Sequence, residues 1–201
     1  MPRGRRRQFD PEEVLEAAME VFWTRGYEDT TLDEVMELGA IGRQSLYDSF
    51  GNKRQLFLSA LRAYGERMIE QYRVHLNEAE SPVGALIDLM RALLAPDHPG
   101  AGRGCLMVNT GIESVDEEVR PLVRDHFAAL RGILEQGFER AKREGELPTD
   151  FHAEHEASAW STSLLGLALL ARFEGLDDTI VQTVDRLTGQ LEATHASCRP
   201  R

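Results

Sequence analysis

The feature that most constrains the fold is a pair of short helices between residues 31 and 50. Thr31 and Glu34 have the spacing of a capping box, in which each side chain accepts a hydrogen bond from the other residue's backbone N–H at a helix start. Residues 39–42, Gly-Ala-Ile-Gly, predict a tight turn because glycine tolerates unusual backbone angles. A second short helix is predicted over Arg43–Phe50. Two short helices joined by a four-residue turn indicate a helix-turn-helix motif.

Helical periodicity continues along the chain, and no convincing strand pattern interrupts it. Asp10 and Pro11 predict a helix start and Gly26 its end, whereas Asn52 predicts the cap of a long helix. We therefore predict an all-α fold of about nine helices, with a three-helix helix-turn-helix domain at 1–54, a larger helical domain at 55–195 and a tail at 196–201. Outside the motif, the predicted helices are 11–25, 53–77, 82–95, 104–114, a helix from a Ser114–Glu117 capping box to Gly145, one from Asp150 to Gly175, and one through Ile180 and Leu191.

The composition excludes several classes of protein. Hydrophobic residues make up 42% and charged residues 28%, as in ordinary soluble domains. The longest apolar run, 164–171, is far shorter than the roughly 20 residues that a membrane-spanning helix needs. No apolar signal-peptide core follows the basic N-terminus, so we expect a cytoplasmic protein with no membrane partner. The two cysteines, Cys105 and Cys198, lie far apart, and no structural disulfide is expected.

The charge balance restricts how this chain binds nucleic acid. A net charge of −11 argues against a protein that coats DNA through phosphate contacts, so any such contact must be local. Arg3, Arg5, Arg6 and Arg7 form a basic arm suited to the minor groove or the phosphate backbone. The alternative for this arm is a merely solubilising tail.

Two sequence runs closely resemble the DNA-binding domain of the TetR family of transcription regulators. They are residues 26–35, Gly-Tyr-Glu-Asp-Thr-Thr-Leu-Asp-Glu-Val, and residues 45–57, Ser-Leu-Tyr-Asp-Ser-Phe-Gly-Asn-Lys-Arg-Gln-Leu-Phe. The motif-level resemblance covers about residues 10–57, and the helix order behind it is similar to the family's ligand-binding and dimerisation domain. Residues 104–109, Gly-Cys-Leu-Met-Val-Asn, resemble the start of helix six in one broad subgroup.

The resemblance implies a ligand-responsive repressor that binds operator double-stranded DNA as a homodimer and is released by a small-molecule inducer. It implies no cofactor and no enzymatic activity. The chain departs from the family pattern at Ala40, where glycine is usual, and at Gly42, where a Ser or Thr cap is usual. The missing hydroxyl at Gly42 puts one phosphate contact in doubt.

The predicted second helix of the motif carries the candidate base-reading residues, because this helix enters the major groove in such proteins. Arg43 suits guanine and Gln44 suits adenine, and Ser45 is placed beside them. Asp48 repels phosphate but is able to accept from a cytosine amino group. By family analogy, Thr31, Tyr47 and Lys53 hold phosphates, and the alternative for Tyr47 is packing on the fourth helix.

The rear domain carries candidate effector and dimer residues. Helices four to eight are expected to enclose a mostly apolar pocket with a few polar anchors. Its candidate lining is Met68, Met90, Met107, Asn109, Glu113, Phe127, Trp160 and Phe173, and core packing is the alternative for each. The last two helices are expected to form the dimer, and the alternative for their apolar stripe is internal core. That stripe is Ala157, Leu164, Gly166, Leu167, Ala168, Leu187 and Leu191.

Cys105 supports an alternative function, a repressor that senses electrophiles or oxidants, since it lies near a predicted helix start beside Arg103. The competing interpretation is a small buried hydrophobe. His152 and His155 lie three residues apart without an evident third ligand, so no metal site is predicted. Alternatives from other classes are a helical adaptor that has lost DNA binding and an enzyme, although no catalytic motif supports the enzyme.

Overall fold

The computed structural model describes residues 9–98, 100–114 and 116–198. These residues form nine α-helices and one short 3-10 turn, and none of them lies in a β-strand, so the predicted all-α fold is confirmed. The proposed basic arm, including Arg5 and Arg6, lies outside the described residues. The helices are α1 (Pro11–Asp29), α2 (Leu32–Leu38), α3 (Arg43–Phe50), α4 (Lys53–Glu78), α5 (Pro82–Arg91), α6 (Leu106–Glu113), α7 (Val119–Arg143), α8 (Ala153–Glu174) and α9 (Asp178–Cys198), with the 3-10 turn at Ala92–Leu94.

The chain divides into two compact units, residues 1–65 and 66–201, and the division falls within α4. In the first unit, the first half of α4 packs on α1 through aromatic side chains. The ring centroids of Phe22 and Phe57 lie 4.9 Å apart, and those of Trp23 and Tyr64 lie 5.1 Å apart, both edge to face. These contacts make the start of α4 part of the helix-turn-helix unit.

Helix α1 starts where the sequence predicts, but it does not end there. Asp10 accepts from the N–H of Glu12 at 2.9 Å with Pro11 at the first helical position, as predicted. Gly26 was predicted to end the helix, but it produces a kink with φ of 79°, and helical backbone resumes until Asp29. The Thr30 hydroxyl donates to the Gly26 carbonyl at 2.7 Å, so the oxygen exposed by the kink is satisfied.

The turn between α2 and α3 is a Schellman motif, the arrangement that closes a helix with one residue in the left-handed region. The N–H of Ile41 donates to Met36 at 3.1 Å, and the N–H of Ala40 donates to Glu37 at 3.4 Å. The left-handed residue is Ala40, with φ of 47°. The preceding residue, Gly39, is the glycine of this turn. An added Cβ there would lie 3.3 Å from the Cβ of Ala17 and 3.0 Å from a carbonyl oxygen of α2, so the position has little room for a side chain.

The second unit has one hydrophobic core, to which α5, α7, α8 and α9 contribute. Trp160 and Phe138 lie at its centre with their rings edge to face at 5.5 Å, and both are fully buried. At one end, Arg140 of α7 donates to the carbonyls of Leu76 at 2.8 Å, Asn77 at 3.1 Å and Ala79 at 2.8 Å. We call this arrangement the Arg140 clamp, and it satisfies carbonyls that the end of α4 leaves without helical partners.

Three predicted boundaries in this unit are wrong. The Ser114–Glu117 capping box does not start a helix, because the Ser114 hydroxyl caps a local turn by accepting from the N–H of Asp116 at 3.2 Å, and α7 begins at Val119. Asp150 does not open α8, which begins at Ala153 after a turn in which the N–H of Phe151 donates to Pro148 at 3.1 Å. The helix predicted to reach residue 95 ends as α5 at residue 91, and the 3-10 turn follows.

The stripe predicted to form a dimer interface is largely internal core. Ala157, Leu164, Leu167 and Leu191 are 7% exposed or less and belong to the core of a single chain, so their assignment to an interface is wrong. The sequence shows the helical periodicity of these residues. It does not show whether they pack against the core of their own chain or against a second copy. The other members of the stripe, Gly166, Ala168 and Leu187, retain exposed surface.

Candidate functional site

The second helix of the helix-turn-helix presents a polar face to solvent. Leu46 is fully buried and anchors α3 in the first unit. Arg43, Gln44, Tyr47 and Asp48 are exposed on the opposite side, and Tyr47 is 43% exposed. Positions three and four residues apart lie on the same side of a helix, and the pairs 44/47, 43/47 and 44/48 have this spacing. These four side chains therefore form one outward surface, which we call the α3 face. Ser45 lies at its edge and is half-buried.

Two side chains of the α3 face are held by carboxylates. Arg43 pairs with Asp33 of α2 at 2.5 Å, and both side chains are well exposed. The amide nitrogen of Gln44 donates to Asp48 Oδ1 at 2.8 Å, one turn along α3. From the sequence, Arg43 and Gln44 are expected to read bases, but neither of these two pairings is expected. The Gln44–Asp48 spacing was available as a signal, whereas the Asp33 contact depends on how α2 and α3 cross.

Thr31 and Lys53, the candidate phosphate contacts, both make intramolecular bonds. Thr31 completes the capping box of α2, in which its hydroxyl accepts from the N–H of Glu34 and its own N–H donates to the Glu34 carboxylate at 3.0 Å. Lys53 donates to the Glu28 carbonyl at 3.0 Å and lies 4.7 Å from the centre of the Tyr27 ring, a cation–π distance. The Thr31 hydroxyl must leave Glu34 in order to donate to a phosphate, whereas Lys53 has two further ammonium protons to donate.

Electrostatics around the capping box favour the ionised carboxylate of Glu34. The backbone N–H and the hydroxyl of Thr31 both donate to it, and Arg25 lies 2.8 Å away. These interactions, with the Thr31 backbone bond the largest, hold the pKa of Glu34 below its ordinary value. The start of α3 has no equivalent cap, because Gly42 has no side chain and a Cβ placed there would meet open space.

The candidate effector residues are distributed over the second unit and differ in environment. Trp160 is fully buried in the core, and its indole N–H is satisfied by Glu156 at 2.9 Å. Glu113 pairs with Arg172 at 2.5 Å and keeps 44% of its side chain exposed. Met107 is buried in α6, whereas Met68 and Phe127 are half-buried.

Asn109 is the most distinctive of these residues. It is 4% exposed, and its amide nitrogen donates to the Arg103 carbonyl at 2.8 Å. Its Oδ1 atom, also buried, accepts no hydrogen bond from the described residues. A buried acceptor without a donor costs about 1–3 kcal/mol, so a donor brought by another molecule would be favoured here.

Cys105 is half-buried and forms the N-cap of α6, following Gly104, which has φ of 68°. Close to it lies Tyr72 of α4, a partly buried residue that the sequence analysis did not select. Burial raises the pKa of the Tyr72 phenol, and interaction with Cys105 raises it further. The phenol therefore remains neutral and able to donate a hydrogen bond at physiological pH.

The described residues include one close pair of histidines and no membrane-spanning helix. His152 and His155 stack with ring centroids 5.3 Å apart. Within the described ranges, no three His, Cys, Asp or Glu side chains are grouped as metal ligands would be. None of the helices described is long and apolar enough to cross a bilayer.

A polar helix exposed by a helix-turn-helix, joined to a larger helical unit, defines the class of helix-turn-helix DNA-binding proteins. This chain belongs to the TetR family of transcription regulators. Residues 14–60 match the model of the bacterial regulatory proteins of the tetR family, and residues 82–187 match the tetracyclin repressor-like C-terminal domain. The family expected from the two sequence runs is thereby confirmed.

Individual relatives align over most of the chain. The HTH-type transcriptional regulator YezE of Bacillus subtilis is 34% identical over 188 residues, which cover 90% of this chain and 96% of YezE. The HTH-type transcriptional repressor ComR of Escherichia coli is 29% identical over 177 residues, covering 85% and 83%. A cysteine mutant of the TetR family regulator CifR, solved with 26-bp operator DNA, superimposes with a TM-score of 0.77 at 29% identity, covering 92% and 98%. All three relatives are transcription regulators.

Proposed function

We propose that this protein is a cytoplasmic repressor that binds operator DNA as a homodimer and leaves it when a small molecule binds the second unit. The α3 face carries the proposal, because it combines hydrogen-bonding side chains with an exposed helix of the size that enters a major groove. Tyr47 in this face and Lys53 at the next helix start offer hydrogen-bond donors for phosphates. The DNA complex of the CifR relative supports the same mode of binding.

One α3 face covers too few base pairs for an operator, so two copies about 34–36 Å apart are needed on one side of the duplex. The exposed side of α8 offers a suitable dimer surface. Its residues recur at alternating intervals of four and three, the spacing of a helix seam that packs against another helix. The stripe is His155, Ala159, Thr162, Gly166, Leu169 and Phe173, of which Phe173 is 73% exposed.

The effector is proposed to bind near the start of α6. The unpaired Oδ1 of Asn109 favours an effector with a hydrogen-bond donor, and buried Met107 nearby in the sequence suits an apolar body. If the effector binds better to the conformation with lower operator affinity, operator affinity falls by that difference in binding free energy. The effector is thereby restricted to a mainly apolar small molecule with a donor group.

A gel shift with the DNA upstream of the protein's own gene tests DNA binding. We expect wild-type protein to bind at low salt, and Arg43→Ala and Gln44→Ala to weaken binding because each removes a base contact worth about 1–3 kcal/mol. Arg131→Ala is the matched control, since it removes one exposed arginine from α7. Failure of wild-type protein to bind this DNA at low salt would overturn the repressor proposal.

A second candidate function is favoured by the position of Cys105, half-exposed at the start of α6 beside Tyr72. Here an electrophile with an activated carbon–carbon double bond replaces the reversible effector: the Cys105 sulfur bonds to one alkene carbon as the π bond breaks, the thiol proton ends on the other alkene carbon, and the adduct disfavours the DNA-binding conformation. The name of the CifR structure records substitutions at three of its own cysteines.

Mass spectrometry with a parallel gel shift separates the two candidates. Under electrophile sensing, modification of Cys105 accompanies operator release after mild treatment with an alkylating agent, and Cys105→Ser retains the operator. Cys198→Ser controls for the second thiol. Complete release with unmodified Cys105 would exclude the electrophile mechanism and leave the reversible effector.

A further inference from the structure

We propose that Asp48 is a specificity-determining residue that accepts a hydrogen bond from a cytosine amino group in the operator, and that Gln44 is the residue that positions it. The inference rests on the proposed function, since it concerns how the α3 face reads DNA. It assigns a positive role to an acidic residue on a surface that must approach phosphates.

The geometry starts from the Gln44–Asp48 hydrogen bond. Gln44 Nε2 lies 2.8 Å from Asp48 Oδ1, and both side chains are exposed on the same side of α3 as Arg43. The amide must present its nitrogen, because an ionised carboxylate has no proton to donate to the amide oxygen. Among the described residues, Gln44 donates to Asp48 Oδ1 and none donates to Oδ2, so this second oxygen remains available to a donor from DNA.

The chemistry of base edges then selects the partner. In the major groove, only cytosine N4 and adenine N6 carry donor protons, while guanine and thymine present acceptors. An acceptor-only carboxylate is therefore repelled by guanine and thymine. Adenine also presents N7 beside its amino group, and this acceptor repels the second oxygen of a carboxylate. Cytosine has no acceptor beside its amino group in the major groove. Asp48 consequently favours cytosine over the other three bases.

The charge of Asp48 adds selectivity against unrelated DNA. A carboxylate close to phosphates weakens every complex, including those with unrelated sequences, and only a base that donates to it compensates. Gln44 is neutral and leaves this charge in place. The Gln44–Asp48 pair thus raises the ratio of specific to nonspecific affinity rather than the affinity itself.

Selection of binding sites from a randomised half-site library, followed by affinity measurements, tests the proposal with full-length protein. We expect wild-type protein to prefer cytosine at one position of each half-site, by about fivefold or more, the lower end for one mismatched base pair. Asp48→Asn retains an acceptor for Gln44 but adds a donor, so we expect the cytosine preference to disappear and adenine to gain. Gln44→Ala should weaken the preference, and Glu37→Gln, an exposed control on α2, should leave it unchanged.

The outcomes are distinct. If Asp48→Asn keeps the cytosine preference, Asp48 only supports Gln44 and the proposal is wrong. An undiminished preference in Gln44→Ala removes the positioning role. If wild-type protein enriches no sequence at low salt, the proposed DNA-reading function is wrong. If wild-type protein and the Asp48 variant enrich the same sequence, only the inference about Asp48 is wrong. Circular dichroism of each variant confirms that the exposed substitutions leave the helices intact.

Discussion

Ala40 has backbone angles that suit glycine better than alanine. Its φ of 47° places it in the left-handed region, where a Cβ costs roughly 1–2 kcal/mol. Ala40→Gly removes that cost but adds about 0.4–1 kcal/mol of backbone entropy to the unfolded chain. We expect a net gain of about 0.5–1 kcal/mol in the stability of the first unit, measured by urea unfolding.

The neighbouring Gly39 provides the control for this substitution. An added Cβ at Gly39 would meet a carbonyl oxygen of α2 at 3.0 Å and the Cβ of Ala17 at 3.3 Å, so Gly39→Ala is expected to destabilise the same unit. Equal effects of the two substitutions would show that backbone strain at Ala40 does not influence stability.

Glu34 predicts a specific pH dependence. Because the pKa of its carboxyl is lowered in the folded protein, Glu34 contributes stability above its ordinary pKa, and this contribution disappears as pH falls through the lowered value. Glu34→Gln retains an acceptor for Thr31 but loses the charge. The difference in thermal midpoint between wild type and Glu34→Gln should therefore be largest near neutral pH and shrink in acid. A difference that is constant across this range would contradict the assignment.

The Arg140 clamp is expected to hold the end of α4 against α7. Hydrogen bonds to charged groups contribute about 1.5–3 kcal/mol each, and Arg140 donates to three carbonyls. Since the bonds are not additive, we expect Arg140→Met to cost about 3 kcal/mol in the unfolding of the second unit. The measurement is a urea titration followed by tryptophan fluorescence of the core residue Trp160.

Arg143 is the matched control because it lies in the same last turn of α7 but is exposed. Arg143→Met should change the stability by less than about 0.5 kcal/mol, as exposed substitutions generally do. A similar loss in both variants would mean that helix-end charge, rather than the clamp, stabilises this region.

Helix starts were predictable where the cap is local, and not where a turn competes for the same residues. Asp10, Thr31 and Asn52 each cap the helix that the sequence assigned to them, because the bond spans only two or three residues. Ser114 has an equivalent pattern, but its hydroxyl serves a local turn. Local sequence does not reveal which of two nearby N–H groups a short side chain will satisfy.

The site was predictable at the level of which residues face outward, and not at the level of their partners. The periodicity of α3 places Leu46 inside and Arg43 and Gln44 outside, as the structure has them. The Arg43–Asp33 pair joins two helices and depends on their crossing. The burial of Leu164 and Leu191 in the core of one chain likewise depends on tertiary packing, which is why the dimer stripe was misassigned.

The proposed dimer surface makes Gly166 a test position for the assembled protein. A Cβ at Gly166 meets nothing within 4 Å, so Gly166→Arg leaves the fold of one chain intact but obstructs the close approach of a second α8. We expect light scattering to give the monomer mass of 22.6 kDa for this variant and twice that mass for wild type, with loss of operator binding in the variant.

Gly132 on α7 is the matched control, since a Cβ there also meets open space. Gly132→Arg introduces the same side chain into a helix outside the proposed surface and should remain dimeric. A dimeric Gly166→Arg variant would move the dimer interface away from the exposed side of α8.

The two carboxylates beside the α3 face also affect how quickly the protein finds its target. If the α3 face contacts DNA as proposed, Asp33 and Asp48 lie near the phosphates, and each shortens the time the protein stays on sequences that offer no amino group in the right place. A regulator that dissociates quickly from nonspecific DNA samples more sites per unit time. Under this proposal, the acidic side chains lower the affinity for DNA in general and raise the speed of the search for the operator.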